Sequence, residues 1–163
     1  MAENDERNLY QLKQDYKKIE KKYSLPIFEQ LNEDFHIEKL AELETEFLIR
    51  EIRKFMAERI GSYLRFVETL LQPGNSPMFI FSIVKLLDSV DKDRLTKIYK
   101  KLAKIEVDIF EIDISFSEEK EANFIKNSYK IWQEIKEDFS QVVGSIKKNW
   151  GNKFQADSKG YFG

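Results

Sequence analysis

The stretch from Ile37 to Leu71, IEKLAELETEFLIREIRKFMAERIGSYLRFVETLL, holds no proline and a single glycine, Gly61. Leu40, Leu43 and Phe47 open an apolar side that continues through Ile49, Ile52, Met56, Ile60, Tyr63, Val67 and Leu70. These intervals of mostly three and four residues are the period of an α-helix, and Leu48, Phe55 and Phe66 widen the stripe to two faces. A helix so long and so broadly apolar is predicted to be central and contacted on several sides. Gln72-Pro73-Gly74-Asn75-Ser76-Pro77 ends it with concentrated turn chemistry.

Toward the N-terminus, Leu9, Leu12, Tyr16, Ile19 and Tyr23 alternate with Lys and Glu, which predicts an amphipathic first helix. Leu25-Pro26 stops it, because the residue before a proline avoids the helical region. Ile27 to Leu31 reads as a short helical restart before Asn32. Toward the C-terminus, Pro77 suits the first position of a third apolar helix reaching about Ser89. Asp91 reads as the N-cap of a fourth, through Leu95, Ile98, Leu102 and Ile105. Ile105 to Phe116 fits two patterns equally. Ile105, Val107 and Ile109, then Ile112, Ile114 and Phe116, alternate with acidic residues as in a bulged strand, and yet Ile98, Leu102, Ile105, Ile109, Ile112 and Phe116 form a helical stripe. Ser117-Glu118-Glu119-Lys120 starts a last helix with a capping hydroxyl and early acidic charge, and Phe124, Ile125, Tyr129, Trp132, Ile135, Phe139, Val142, Val143 and Ile146 carry it to about Trp150. Gly151 to Gly163 is a polar tail, expected to be disordered. The expectation is an all-α fold: one helical domain over residues 1–150, a bundle of four or five helices around one long central helix.

Composition narrows the chemistry. The 163 residues are 42% apolar and 34% charged, with only 6 glycines and 3 prolines, which suits long helices rather than a loop-rich β fold. A balance of 27 basic against 29 acidic residues gives a net charge of −2, so bulk charge drives binding neither to nucleic acid nor to an anionic membrane. With no cysteine there is no disulfide, thiolate metal site or cysteine nucleophile. Met1 to Asn8 lacks the apolar segment of a signal peptide, and the longest apolar run, Met78 to Val84, is far short of a bilayer span. A cytoplasmic protein with no membrane partner is expected.

Glu33 and His36 have the i, i+3 spacing of a di-iron helical bundle, but that site needs a second such pair and the chain has one histidine. No metal and no cofactor is therefore expected. The acidic groups Glu42, Glu44 and Glu46, and Asp108, Glu111 and Asp113, read as solvated faces, and no phosphate loop or nucleophile elbow is present, so enzyme function has no positive support. Lys13, Lys17, Lys18, Lys21 and Lys22 on the first helix, and Lys97, Lys100, Lys101 and Lys104 on the fourth, are basic stripes; together they supply the alternative reading, a helical nucleic-acid-binding protein using lysine stripes on two helices.

Leu48-Ile49-Arg50-Glu51-Ile52-Arg53-Lys54-Phe55, continuing to Glu58-Arg59-Ile60, resembles the central helix of the GINS family of replication proteins. Leu31-Asn32-Glu33-Asp34-Phe35 is similar to the acidic-Phe segment that precedes it in archaeal members. Phe116-Ser117-Glu118-Glu119-Lys120, followed by Phe124 and Tyr129, resembles the family's final helix. The three pieces occur in the family's order and span roughly residues 9–140. The resemblance implies a non-catalytic adaptor, assembled with other protein subunits as a hetero-oligomer that bridges the replicative MCM helicase and its partners. It also implies that Ile49, Ile52, Met56, Ile60 and Tyr63 of the central helix supply both core and subunit interface, with Arg50, Arg53 and Arg59 as polar interface contacts.

Overall fold

Helices α1 (Ala2–Tyr23), α2 (Phe28–Phe35), α3 (Leu48–Leu71), α4 (Met78–Val84), α5 (Ser89–Ile114) and α6 (Glu118–Gly160), with a 3-10 stretch at Ile37–Glu42, make up an all-α protein. The computed structural model describes the backbone of residues 2–160 and the side chains of residues 8–153, and no strand occurs among the described residues. None of the described helices is long and apolar enough to cross a membrane. The chain forms two compact units: the first is the chain through Gly61 with Lys104–Ile131, the second Ser62–Ala103 with the chain from Trp132 onward.

In the first unit, α1 ends as its sequence demands. Ser24 adopts the left-handed conformation (φ 54°), and the Leu25 N–H donates to the Glu20 carbonyl at 3.1 Å, the six-to-one bond of a Schellman cap, just before Pro26. The buried Tyr16 sets the return angle: its hydroxyl donates to the Pro26 carbonyl at 2.5 Å and its ring meets Phe28 edge-on at 5.5 Å. Burial pushes the Tyr16 phenol well above its ordinary range. Helix α2 buries Phe28, Leu31 and Phe35, extending the short turn read from sequence to Phe35. His36 then takes a left-handed conformation (φ 55°), and Asn32 Oδ1 accepts the Glu38 N–H at 2.8 Å. The lone histidine is thus a chain-reversal residue at a helix end.

The long central helix starts at Leu48 and not near Ile37. Between the 3-10 stretch and α3, Leu43 to Phe47 is non-helical, with the Thr45 hydroxyl accepting the Phe47 N–H at 3.0 Å. The Phe47 carbonyl receives the first helical bonds, from Arg50 at 3.0 Å and Glu51 at 3.2 Å. Two local forces favour this break. A helix would set Glu42 and Glu46 one turn apart as like charges, and Thr45 offers the backbone a competing bond. Ile49, Ile52, Met56 and Ile60 are buried along α3, as are Ile105 and Ile112 of α5 and Phe124 and Ile125 of α6.

In the second unit, the turn after α3 uses Gly74 at φ +44°, with the Ser76 N–H on the Pro73 carbonyl at 2.8 Å. Pro77 is the residue before α4 rather than its first helical residue, and α4 stops at Val84. The cap of α5 is Asp88, whose Oδ1 accepts the Asp91 N–H at 2.8 Å, and not Asp91. Asp91 is instead buried and accepts the Ser145 hydroxyl at 2.7 Å. Tyr63 stacks on Trp132 (5.0 Å, 13° between planes) and meets Phe139 edge-on at 5.5 Å. The ambiguous segment at 105–116 is helical as far as Ile114, where α5 ends, and non-helical at Ser115 and Phe116. Helix α6 likewise passes its expected end near Trp150, so residues 151–160 of the expected tail are helical, and residues 161–163 lie outside the described residues.

Candidate interaction face

The second half of α5, in the first unit, has two opposed apolar stripes. Ile105 and Ile112 are buried on the inner one. On the outer one, Val107, Phe110 and Ile114 are spaced i, i+3, i+7 and are 65%, 66% and 86% exposed. An exposed stripe at helical spacing is the surface that a partner helix covers. Its flanks are acidic, with Glu106 and Asp113 on one side and Asp108 and Glu111 on the other. Asp113 meets Arg53 at 3.2 Å and Glu111 meets Lys120 at 3.7 Å, whereas Glu106 and Asp108 make no ion pair among the described residues.

The apolar surface continues past the end of the helix. The Arg50 guanidinium lies 4.0 Å from the Phe116 ring centroid and 5.2 Å from that of Phe47, so the cation is stacked on two half-exposed rings. Phe47 and Leu43 also line a cleft of about 600 Å³ between α1 and the 43–47 segment. In that cleft Lys18 holds the Asp15 carboxyl below its ordinary range at 2.7 Å. The Glu118 carboxyl is held down too, first by the Tyr23 hydroxyl and then by Lys22 at 3.1 Å. Both shifts are those of a carboxylate that accepts hydrogen bonds and pairs with lysine, opposite to the raised value of a general acid.

Glu118 gives a pH prediction. Its pKa is lower in the folded chain than in the unfolded one, so the α1–α6 tie is fully present above the ordinary glutamate range. It is lost only as pH falls through the lowered folded value. A carboxyl NMR titration should place the Glu118 midpoint below that of an unfolded glutamate. Tyr23→Phe should raise it more than Lys22→Met does; the reverse order would contradict the assignment of the hydroxyl as its main partner.

Beneath the face, Arg53 of α3 donates to Glu121 of α6 at 2.7 Å and to Asp113 of α5 at 3.2 Å. The Arg53 side chain is 9% exposed and that of Glu121 wholly buried. This node ties α3 and α5, which carry the face, to α6.

Of the interface residues expected from sequence, Ile49, Ile52, Met56 and Ile60 are spent in the first unit's own core, and Arg53 is buried in the ion-pair node. Arg59 is half-buried and donates to the Asp34 carbonyl at 3.3 Å. Tyr63 belongs to the second unit's aromatic stack. Only Arg50 reaches the exposed face. Among the lysines of the alternative reading, Lys97 pairs with Asp138 at 2.6 Å and Lys101 with Glu134, both in the second unit. Lys100 and Lys104 are exposed and form no ion pair among the described residues. Half of that stripe is therefore locally neutralised. No family model matches the chain, and neither a curated protein nor a solved structure is significantly similar to it.

Proposed function

We propose that this chain is a non-catalytic protein–protein adaptor whose docking face is the outer stripe of α5, continued by Phe116, Arg50 and Phe47. The observation that carries this reading is the exposure of Val107, Phe110 and Ile114 on a helix whose opposite stripe is already buried. The acidic flanks select the partner's chemistry: an apolar helix edged with Lys or Arg gains both burial and charge complementarity there. A second copy of the same stripe would instead set acid against acid. The specific form of the reading is a GINS-like subunit bridging the replicative helicase and its partners. It is supported by the sequence likeness of 31–35, 48–60 and 116–129, which occupy α2, α3 and the link into α6.

The test is affinity capture of the tagged chain from a lysate of its source organism, with co-eluting proteins identified by mass spectrometry. The GINS-like form predicts stoichiometric recovery of another GINS-type subunit or of the helicase. Recovery of the bait alone would contradict it.

A further inference from the structure

The second unit has an apolar surface of opposite electrical character. Helix α4 buries Ile83, and the side facing away from it carries Met78, Phe81 and Lys85 at i, i+3, i+7. Met78 is 83% exposed, Phe79 59% and Phe81 37%. Phe79 lies edge-on to Trp150 of α6 at 5.6 Å, and the Asn149 side chain donates to the Leu86 carbonyl at 2.9 Å, which fixes the two helices side by side. One and two turns before Trp150, on the same side of α6, are Lys147 and the exposed Val143. The chain carries no acidic residue from Gln72 to Leu87 or from Phe139 to Lys153. The charges in those two segments are Lys85, Lys147, Lys148 and Lys153.

We propose that this face docks on an anionic lipid bilayer surface. Met78 and Phe81 enter the boundary between headgroups and acyl chains, with Phe79 and Trp150, packed on each other at the flank, at headgroup level. Lys85 and Lys147 extend their alkyl stems along the apolar side chains and set their ammonium groups against lipid phosphates. The contact is with the surface of a bilayer and involves no spanning segment. The chain's net charge of −2 conceals it, because none of the acidic residues belongs to these two segments and screening limits each charge to its neighbourhood. The bilayer is favoured over nucleic acid because Met78, the most exposed member, suits acyl chains and stacks on no base, whereas nucleic acid would use only the rings of Phe79, Phe81 and Trp150.

The experiment is flotation of the full chain with mixed phosphatidylcholine–phosphatidylserine vesicles, against pure phosphatidylcholine vesicles and a single-stranded oligonucleotide. The chain should float with the anionic vesicles, less so as salt rises, and should ignore the neutral ones. K85Q and K147Q should each weaken binding about fivefold. M78D, at a side chain outside the core, should abolish binding while leaving helicity and Tm unchanged. Absence of flotation at low salt would overturn the proposal. Flotation by M78D equal to wild type, or binding to the oligonucleotide alone, would overturn it equally.

Discussion

Arg53→Ala is expected to destabilise the protein by about 3–5 kcal/mol, the cost of leaving one member of a buried ion pair uncompensated. Glu121 is wholly buried, and its Oε1 already makes no hydrogen bond among the described residues. Loss of the guanidinium removes the contact to Oε2 as well, leaving a carboxylate with neither water nor a partner. Asp113 matters less, since its side chain is 55% exposed and water replaces the lost nitrogen. The double variant Arg53→Met/Glu121→Leu removes both charges and fills similar space, so it is expected to be near neutral or more stable than wild type. Urea unfolding of the three proteins checks this. A single-variant loss below about 0.5 kcal/mol, the scale of an ordinary surface substitution, would show that the pair is not buried in solution.

Met56→Ala is expected to cost about 2–5 kcal/mol, through lost burial and the cavity left behind. Met56 is fully buried on α3, between the equally buried Ile52 and Ile60. For a chain of this size each kcal/mol lowers Tm by about 2–4 °C, so the loss is easily read by calorimetry. The outcome separates the two roles that the central helix suggests. A core residue lowers stability in the isolated chain, whereas an interface residue leaves the isolated chain unchanged and weakens only the assembly. Unchanged Tm would place Met56 on a surface and would contradict its full burial.

The helical class and the termini set by proline were legible because they rest on local rules. The three- and four-residue apolar spacing of Leu12, Tyr16 and Ile19, the block before Pro26 and the Pro73–Pro77 turn all act within one or two turns of backbone. The start of the central helix was not legible. Leu40, Leu43 and Phe47 keep near-helical spacing through a stretch that Thr45 and the glutamates break. The exposed apolar stripe of α5 was hidden for a different reason. A helix with apolar stripes on opposite sides places apolar residues at alternating positions, so Ile105, Val107, Ile109, Ile112 and Ile114 imitate a strand. Once the segment is helical, the same alternation exposes one stripe. Arg53 and Glu121, 68 positions apart, each sit among other charged residues, so nothing in the sequence pairs them.

The proposed docking role of α5 is tested most directly by repeating the capture with a Phe110→Asp/Ile114→Asp chain beside wild type and a Met78→Asp control. Both changed positions on α5 are solvent-exposed, so the variant should unfold within about 0.5 kcal/mol of wild type. Central apolar anchors of an interface are worth about 2 kcal/mol or more each, so the double variant should lose its partner while the Met78 control retains it. Equal recovery of the partner by the double variant would contradict the assignment of this face.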